Sequence, residues 1–402
     1  MGTYRVLVAA LLLLLPGCTY LEEQSSEEDG AELNDANPSI YGCTDSAANN
    51  YDEDAEEDDG SCEYDEPEPD PILGCTDSDA ENYDSNATEE DGSCKYMETI
   101  PCNGLVILCH RTYDQVTFPE THNSFSTHED NIYYPASNHR TGFQAQWNAG
   151  MRAFMLDTHY LTTADQSQSN VRFCHGDSGR GFSPCTYGAV DPWNWLNNLE
   201  SEMSNDDRDV VTLLIENYVE PDHLKEIFDD VGLSESMYIH EMNEEWPTLI
   251  ELINMDKRLV VFWEQSGDFS HPYFHDFLAH SWTTNYADDD TSSMDCEPLR
   301  GDDTQPAFHM NNWLKNQAGL SDPTRAGEAN DVDFMVDRAL ECIDAHGKRP
   351  TFIAVDWWEE GDVVEAVKRV NQLELESDSV SYTHLRAHET LMNLVCRLLL
   401  EK

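Results

Sequence analysis

Between residues 115 and 373, short runs rich in apolar and β-branched residues recur, with helical stretches set between them. Gln115–Phe118, Ala153–Asp157, Val171–Cys174, Val210–Ile215, Leu259–Trp263 and Phe352–Val355 are mostly apolar, as expected of strands covered on both faces. Pro221–Val231, opened by Glu220, Pro221 and Asp222, reads as a helix, as does Val363–Leu373, whose Val363, Val367 and Val370 share one face. Alternation of this kind predicts an α/β fold with a parallel sheet and argues for a (β/α) barrel over residues 100–376. Periodicity alone does not separate a barrel from an open doubly wound sheet.

What precedes that region is built differently. A repeat of period 32 runs from Gly42-Cys43-Thr44-Asp45 to Asp59-Gly60-Ser61-Cys62 and again from Gly74-Cys75-Thr76-Asp77 to Asp91-Gly92-Ser93-Cys94. Each copy sets its two cysteines 19 apart, and a unit this small needs a covalent staple. Residues 42–96 are therefore expected to be two disulfide-stapled acidic repeats. They resemble short repeats of bacterial secreted proteins. Their Asp and Asn density suits either calcium ligation, though not with EF-hand spacing, or a passive stalk, with Pro67, Pro69 and Pro71 stiffening the link. Residues 19–41 are acidic and poor in large apolar groups, which predicts a disordered tether.

At the N-terminus, Arg5 and the ten-residue apolar run Val6–Leu15 form a secretion signal, too short to span a bilayer. The ending Leu15-Pro16-Gly17-Cys18 resembles a bacterial lipobox. It implies a signal peptide over residues 1–18, a lipid on Cys18 that attaches the chain to a membrane, and, with Thr19 following, export to the outer membrane or cell surface of a Gram-negative bacterium. Cleavage without lipid is the alternative. Residues 380–402 lose the acidic bias and read as a non-native tail.

The formal charge is −58, from 80 acids against 22 bases, and residues 19–100 hold 28 acids against Lys95 alone. A nucleic-acid partner is excluded on that ground, because phosphate binding needs a basic footprint. Twelve cysteines suit an oxidising compartment. With Cys18 and Cys396 set aside, neighbour pairing gives Cys43–Cys62, Cys75–Cys94, Cys102–Cys109, Cys174–Cys185 and Cys296–Cys342. Only the first two pairings have support from the repeat.

Polar residues gather where the predicted strands end, the place at which barrels build their sites. The first strand runs into Glu120-Thr121-His122-Asn123-Ser124; the next end at Asp157-Thr158-His159, His175-Gly176-Asp177, Glu216-Asn217 and Asp356-Trp357-Trp358. Two histidines with carboxylates and an amide suit general acid–base chemistry, since imidazole titrates near working pH. Arg152 reads as structural, its charge paired in the barrel wall. Trp357 and Trp358 either frame a substrate or lipid or simply pack. His110, His128 and His139 have no partner visible in the sequence.

These segments together resemble the X region of phosphoinositide-specific phospholipase C over about residues 110–373. The matching pieces are Pro-x-Thr-His-Asn-Ser at 119–124, Gly150-Met151-Arg152 with Leu156-Asp157, Cys174-His175-Gly176, and Asp209-Val210-Val211 with Leu213, Ile215, Glu216 and Asn217. Lys257–Phe262 and Phe352–Asp356 fit later strands. The resemblance implies a phosphodiesterase with a phospholipid-type substrate. In it His122 is the general base acting on an inositol 2-hydroxyl and His175 the general acid at the leaving oxygen. Metal-free bacterial relatives carry an Arg on the second strand where this chain has Met155 and Asp157, so the resemblance is to the calcium-dependent branch. In that branch Asn123, Asp157 and Glu216 are the implied Ca2+ ligands, while Met155 replaces a ligating Glu. Asp356, closing the barrel beside the first strand, either orients His122 or serves as a helix cap. The rival enzyme is a glycerophosphodiester phosphodiesterase, whose His-Arg-Gly start is missing here. The rival from another class is a barrel that binds at the cell surface without turnover.

Overall fold

In the computed structural model the described residues are 39–65, 70–77, 80, 82–94, 99–133, 136–176, 185–264 and 271–375. The lipobox, most of the tether, Pro67, Pro69, Asp177, Cys396 and the tail at 380–402 lie outside them. The chain forms two compact units, divided between Ile72 and Leu73, so the two repeats fall on opposite sides of that division.

In the first unit, β1 (Tyr41–Gly42) pairs in parallel with β2 (Glu57–Asp58), and Cys43 is bonded to Cys62. In the second, β3 (Leu73–Gly74) and β4 (Glu89–Glu90) repeat the arrangement around Cys75–Cys94. The repeat is one of structure as well as sequence: Asn50 Nδ2 donates to the Ser61 carbonyl at 2.6 Å and Asn82 Nδ2 to that of Ser93 at 2.7 Å. The pairs Cys102–Cys109, Cys174–Cys185 and Cys296–Cys342 also form, so all five neighbour pairings are present.

The rest of the second unit is a curled parallel sheet with helices outside. Its elements are β5 (Phe118–Thr121), α1 (Phe143–Ala149), β6 (Ala153–Tyr160), β7 (Val171–Phe173), α2 (Pro192–Asn205), β8 (Val211–Asn217), α3 (Pro221–Asp230), α4 (Leu249–Asn254), β9 (Leu259–Trp263), β10 (Phe274–Asp276), α5 (Phe277–His280), β11 (Ser281–Thr283), β12 (Ala307–Asn311), α6 (Ala326–Ala329), α7 (Val332–His346), β13 (Phe352–Val355) and α8 (Val363–Gln372). Hydrogen-bonded order is β10-β9-β8-β6-β5-β13-β12-β11, all parallel. Among the described residues no pairing joins β10 to β11; only α5 separates them in sequence, so the TIM-type barrel is open at that seam.

Strand residues alternate between two cores. Phe154, Leu156, Leu213, Ile215, Val261, Ile353 and Val355 pack outward against Trp195 and Leu196 of α2, Leu224 and Ile227 of α3, Met335 of α7 and Val367 of α8. Phe118, Ala153, Met155, Leu214, Val260, Phe262, Phe352 and Ala354 fill the inside. Each such large apolar side chain contributes roughly 1.5–3 kcal/mol on burial, which makes the register strongly specified. The helix starts agree with the sequence: Asp191 and Asp331 each accept from the backbone N–H three residues on, and Thr248 with Glu251 forms a capping box.

Three expectations need correction. The first strand begins at Phe118, three residues after the predicted start, because Tyr113–Gln115 is a 3-10 turn. Val171–Phe173 is a strand, but it runs antiparallel to β6 and is no stave of the barrel. The strands β10, β11 and β12 were not foreseen; they are three to five residues long and carry His275, Asp276, Thr283, His309 and Asn311 in place of an apolar run.

Candidate active site

Inward positions along a parallel strand recur every second residue, so each stave presents a ladder. On β5 and its extension the ladder reads Phe118, Glu120, His122; on β6, Ala153, Met155, Asp157; on β8, Leu214 then Glu216; on β9, Val260, Phe262, Glu264; on β13, Phe352, Ala354, Asp356. The deep rungs are mainly apolar, Glu120 being the exception, and the last rungs carry ionisable groups. Asp157 and Glu216 are register partners across β6 and β8. A cavity of about 340 Å³ opens at this end, lined by His122, Asn123, Asp157, His175, Glu216 and Asp356, the six residues singled out from the sequence.

The two imidazoles belong to one hydrogen-bond chain. Nδ1 of His122 lies 2.9 Å from Asp356 Oδ1. A carboxylate only accepts, so His122 donates from Nδ1 and presents Nε2 to the amide nitrogen of Asn123 at 3.0 Å. The same Asp356 oxygen accepts from Asn138 Nδ2 at 2.8 Å, which turns Asn138 Oδ1 toward Nε2 of His175 at 3.1 Å. Nδ1 of His175 lies 3.2 Å from Asp157 Oδ2. The rings thus differ in surroundings: Nε2 of His122 meets a donor, whereas both nitrogens of His175 meet acceptors.

The electrostatics follow. Burial pushes His175 down, but the hydrogen bond and charge of Asp157, backed by Asp356 and Glu216, hold it above the ordinary histidine range. Burial likewise pushes Asp356 up, and His122 beside it brings the net shift below the usual carboxylate value. Glu216 is raised to about 7 by burial first, then by Asp157 and Glu264.

The surrounding residues fix this geometry. Trp313 stacks on His122 with centroids 4.1 Å apart and planes 1° from parallel. His139, without a visible partner in the sequence, is buried with Nε2 2.8 Å from the His122 carbonyl. Gly176 has no room for a side chain, since a Cβ would meet the His159 ring at 2.2 Å. His159 in turn stacks on Tyr218, whose hydroxyl donates to Glu216. Arg152 is paired with Asp209 at 2.5 Å and lies over Trp147, as a structural residue should. Trp357 is buried, donates from Nε1 to Ser321 and is not among the residues that line the cavity.

Asn138, Trp313 and Glu264 escaped the sequence reading. Asn138 lies in a loop and Trp313 just past β12, a strand that was not foreseen; Glu264 directly follows β9 as Glu216 follows the apolar part of β8, and that shared ladder could have marked it.

Hard oxygen donors of the kind calcium takes are present in Asp157, Glu216 and Asn123, whose Oδ1 accepts no hydrogen bond among the described residues. Burial raises Glu216 first and its acidic neighbours Asp157 and Glu264 add to it, while Arg300 pairs with Glu264, so the set fits a cation in the kind of its donors. Asp157 and Glu216 are register partners, and Asn123 lines the same cavity. Among the described residues the one group of three His, Cys, Asp or Glu ligand atoms within 4.8 Å is Cys75, Glu90 and Cys94, where the cysteines are disulfide-bonded. Met155 is held in the apolar interior and offers no ligand.

The family described as PI-PLC X matches residues 108–371. An uncharacterized secreted protein of Arthroderma benhamiae is 26% identical over 298 residues, covering 68% of this chain and 63% of that protein. A PI-PLC X domain-containing protein 1 of the same fungus is 26% identical over 295 residues, covering 68% and 90%. The chain therefore spans just under two thirds of the first relative's length. A solved phosphatidylinositol-specific phospholipase C of Staphylococcus aureus, with pentafluoro-Phe incorporated, is 11% identical, covers 65% of this chain and 94% of its own, and superposes with a TM-score of 0.45. None of these matches is named as a lipoprotein, so the bacterial-lipoprotein reading is not borne out.

Proposed function

Because the chain belongs to the PI-PLC X family, we propose that it cleaves a phosphoinositide-type lipid by internal attack, with His122 and His175 as base and acid. The observation that carries this reading is the chain His122–Asp356–Asn138–His175, which ties two imidazoles of opposite hydrogen-bond surroundings to one cavity. Nε2 of His122 takes the proton of a hydroxyl vicinal to the phosphodiester. The freed oxygen forms a new bond to phosphorus, the bond to the leaving alkoxide breaks, and that oxygen receives the proton held on Nε2 of His175. The products are a cyclic phosphodiester and a free alcohol. Asp356 orients His122 and stabilises its positive form after proton uptake.

Calcium, when bound, would supply positive charge against the phosphoryl oxygens, and Asn123, Asp157 and Glu216 are the residues that would hold it. With Met155 in place of a further ligand, water would complete the shell. Export of the chain is supported by five disulfides and by a relative named as a secreted protein. Attachment through a lipid on Cys18 belongs to the same proposal.

The test is incubation of the purified chain with phosphatidylinositol vesicles, with calcium or with chelator, followed by phosphorus NMR for a cyclic inositol phosphate. Activity unchanged in His122→Ala or His175→Ala removes the acid–base assignment. Turnover indifferent to chelator removes calcium.

A further inference from the structure

We propose that Asn138 is a positioning residue that sets the spacing and mutual orientation of the two imidazoles. The inference rests on the acid–base reading of His122 and His175 and adds to it the part that joins them. Asn138 lies in the loop between β5 and α1 and is 5% exposed. Its backbone is fixed at two points. The N–H donates to the Ser126 carbonyl at 2.8 Å, and the carbonyl accepts from the N–H of Trp357, the residue after Asp356, at 2.7 Å. Its side chain is thereby anchored to both the β5 and the β13 ends of the site.

The direction of the carboxamide is not free. Asp356 Oδ1 already accepts from His122 and offers Asn138 only an acceptor, so the amide nitrogen turns to Asp356 at 2.8 Å and the amide oxygen to Nε2 of His175 at 3.1 Å. The amide nitrogen also sits 3.3 Å from Nδ1 of His122, a contact between two donors sharing one acceptor. One planar group of fixed length thus separates the rings, and its polarity is matched to their roles. The acid shows its Nε2 to an amide oxygen, and the base shows its Nε2 to the amide nitrogen of Asn123. Substrate oxygens that displace these amides enter with a donor on one side and an acceptor on the other. A hydrophobic residue of the same size would fill the space but leave Asp356 without its second donor and Nε2 of His175 without its acceptor.

Positioning is the effect most sensitive to small displacements, and a shift of about 1 Å costs on the order of a hundredfold in rate. Asn138→Leu is expected to lower kcat ten- to a hundredfold with KM changed less than about threefold. Asn138→Asp keeps the acceptor toward His175 and loses the donor toward Asp356, so it should fall between Leu and the parent. Unchanged kcat in a natively folded Asn138→Leu overturns the proposal. If that variant does not fold, the parent enzyme still decides: nitrogen NMR of histidine-labelled protein at neutral pH should find a proton on Nε2 of His175 and on Nδ1 of His122, and a bare Nε2 on His175 overturns it. Failure of the parent to cleave phosphatidylinositol while that proton pattern holds would sink the functional reading and leave the positioning role standing. Normal turnover with an indifferent Asn138→Leu would do the reverse.

Discussion

Oε2 of Glu120 lies 2.5 Å from Nε2 of His309 inside the barrel, and the two side chains are 0% and 1% exposed. The pair sits one rung below His122, where every neighbouring stave is apolar or small: Phe352 and Ala354 on one side, Ala153 on the other. The contact meets no hydrogen-bond geometry, and both groups are closed off from water. Breaking such a pair by removing one partner costs about 3–5 kcal/mol, whereas replacing both with apolar residues of similar volume is close to neutral. Glu120→Gln or His309→Leu alone should therefore lower the urea midpoint sharply, and Glu120→Leu combined with His309→Phe should recover most of the loss. Single variants as stable as the parent would show that the pair is uncharged.

Asp356 fixes which nitrogen of His122 carries the proton. In Asp356→Asn the amide nitrogen can face Nδ1 and reverse that choice, leaving Nε2 protonated and useless as a base. The expected fall in kcat is about 10²–10⁴-fold with little change in fold or KM, read by release of cyclic inositol phosphate. A variant within threefold of the parent would assign Asp356 a structural role only.

The sequence made the staves legible where both faces are apolar, as at Leu259–Trp263 and Phe352–Val355, because burial on two sides leaves a short run rich in apolar and β-branched residues. It failed at β12, where His309 faces the inside and is compensated by Glu120, since a partner from another stave is invisible to local pattern. The same reason shifted the first strand: Glu120 and Thr121 look like loop residues until their partners are known. The six residues that line the cavity were singled out by their place at or just past predicted strand ends, and their roles came from the family resemblance. Asn138 was not, for its importance comes from Asp356, 218 positions away.

Glu216 makes the stability depend on pH in a direction opposite to most carboxylates. Its folded value near 7 exceeds the ordinary 4.5, so the folded state binds the extra proton between those limits. Stability from this group is complete below about pH 4.5 and is lost as pH rises through 7, by on the order of 3 kcal/mol. Subtracting the unfolding free energy of Glu216→Gln from that of the parent should expose the slope. Calcium added at pH 8 should raise the melting temperature of the parent and do less at pH 5, where Glu216 holds a proton. Equal shifts at the two pH values, or none at millimolar calcium, would count against a cation beside Asp157 and Glu216.

Trp313 completes the constraint on His122. Asp356 holds Nδ1 and Asn123 faces Nε2, but a substrate hydroxyl that displaces Asn123 leaves the ring held at one atom and able to swing about its bond to the chain. The parallel indole face, 4.1 Å away, removes that swing. Trp313 is 4% exposed, so a small replacement also opens a cavity and costs about 3–5 kcal/mol. Trp313→Phe keeps an aromatic face and most of the volume, and separates the two effects. Trp313→Leu should lose about tenfold in kcat at constant KM, and Trp313→Phe should restore most of it while their melting temperatures differ little. If kcat instead follows melting temperature through Phe, Leu and Ala at this position, the indole matters only for packing and the plane of His122 is set elsewhere.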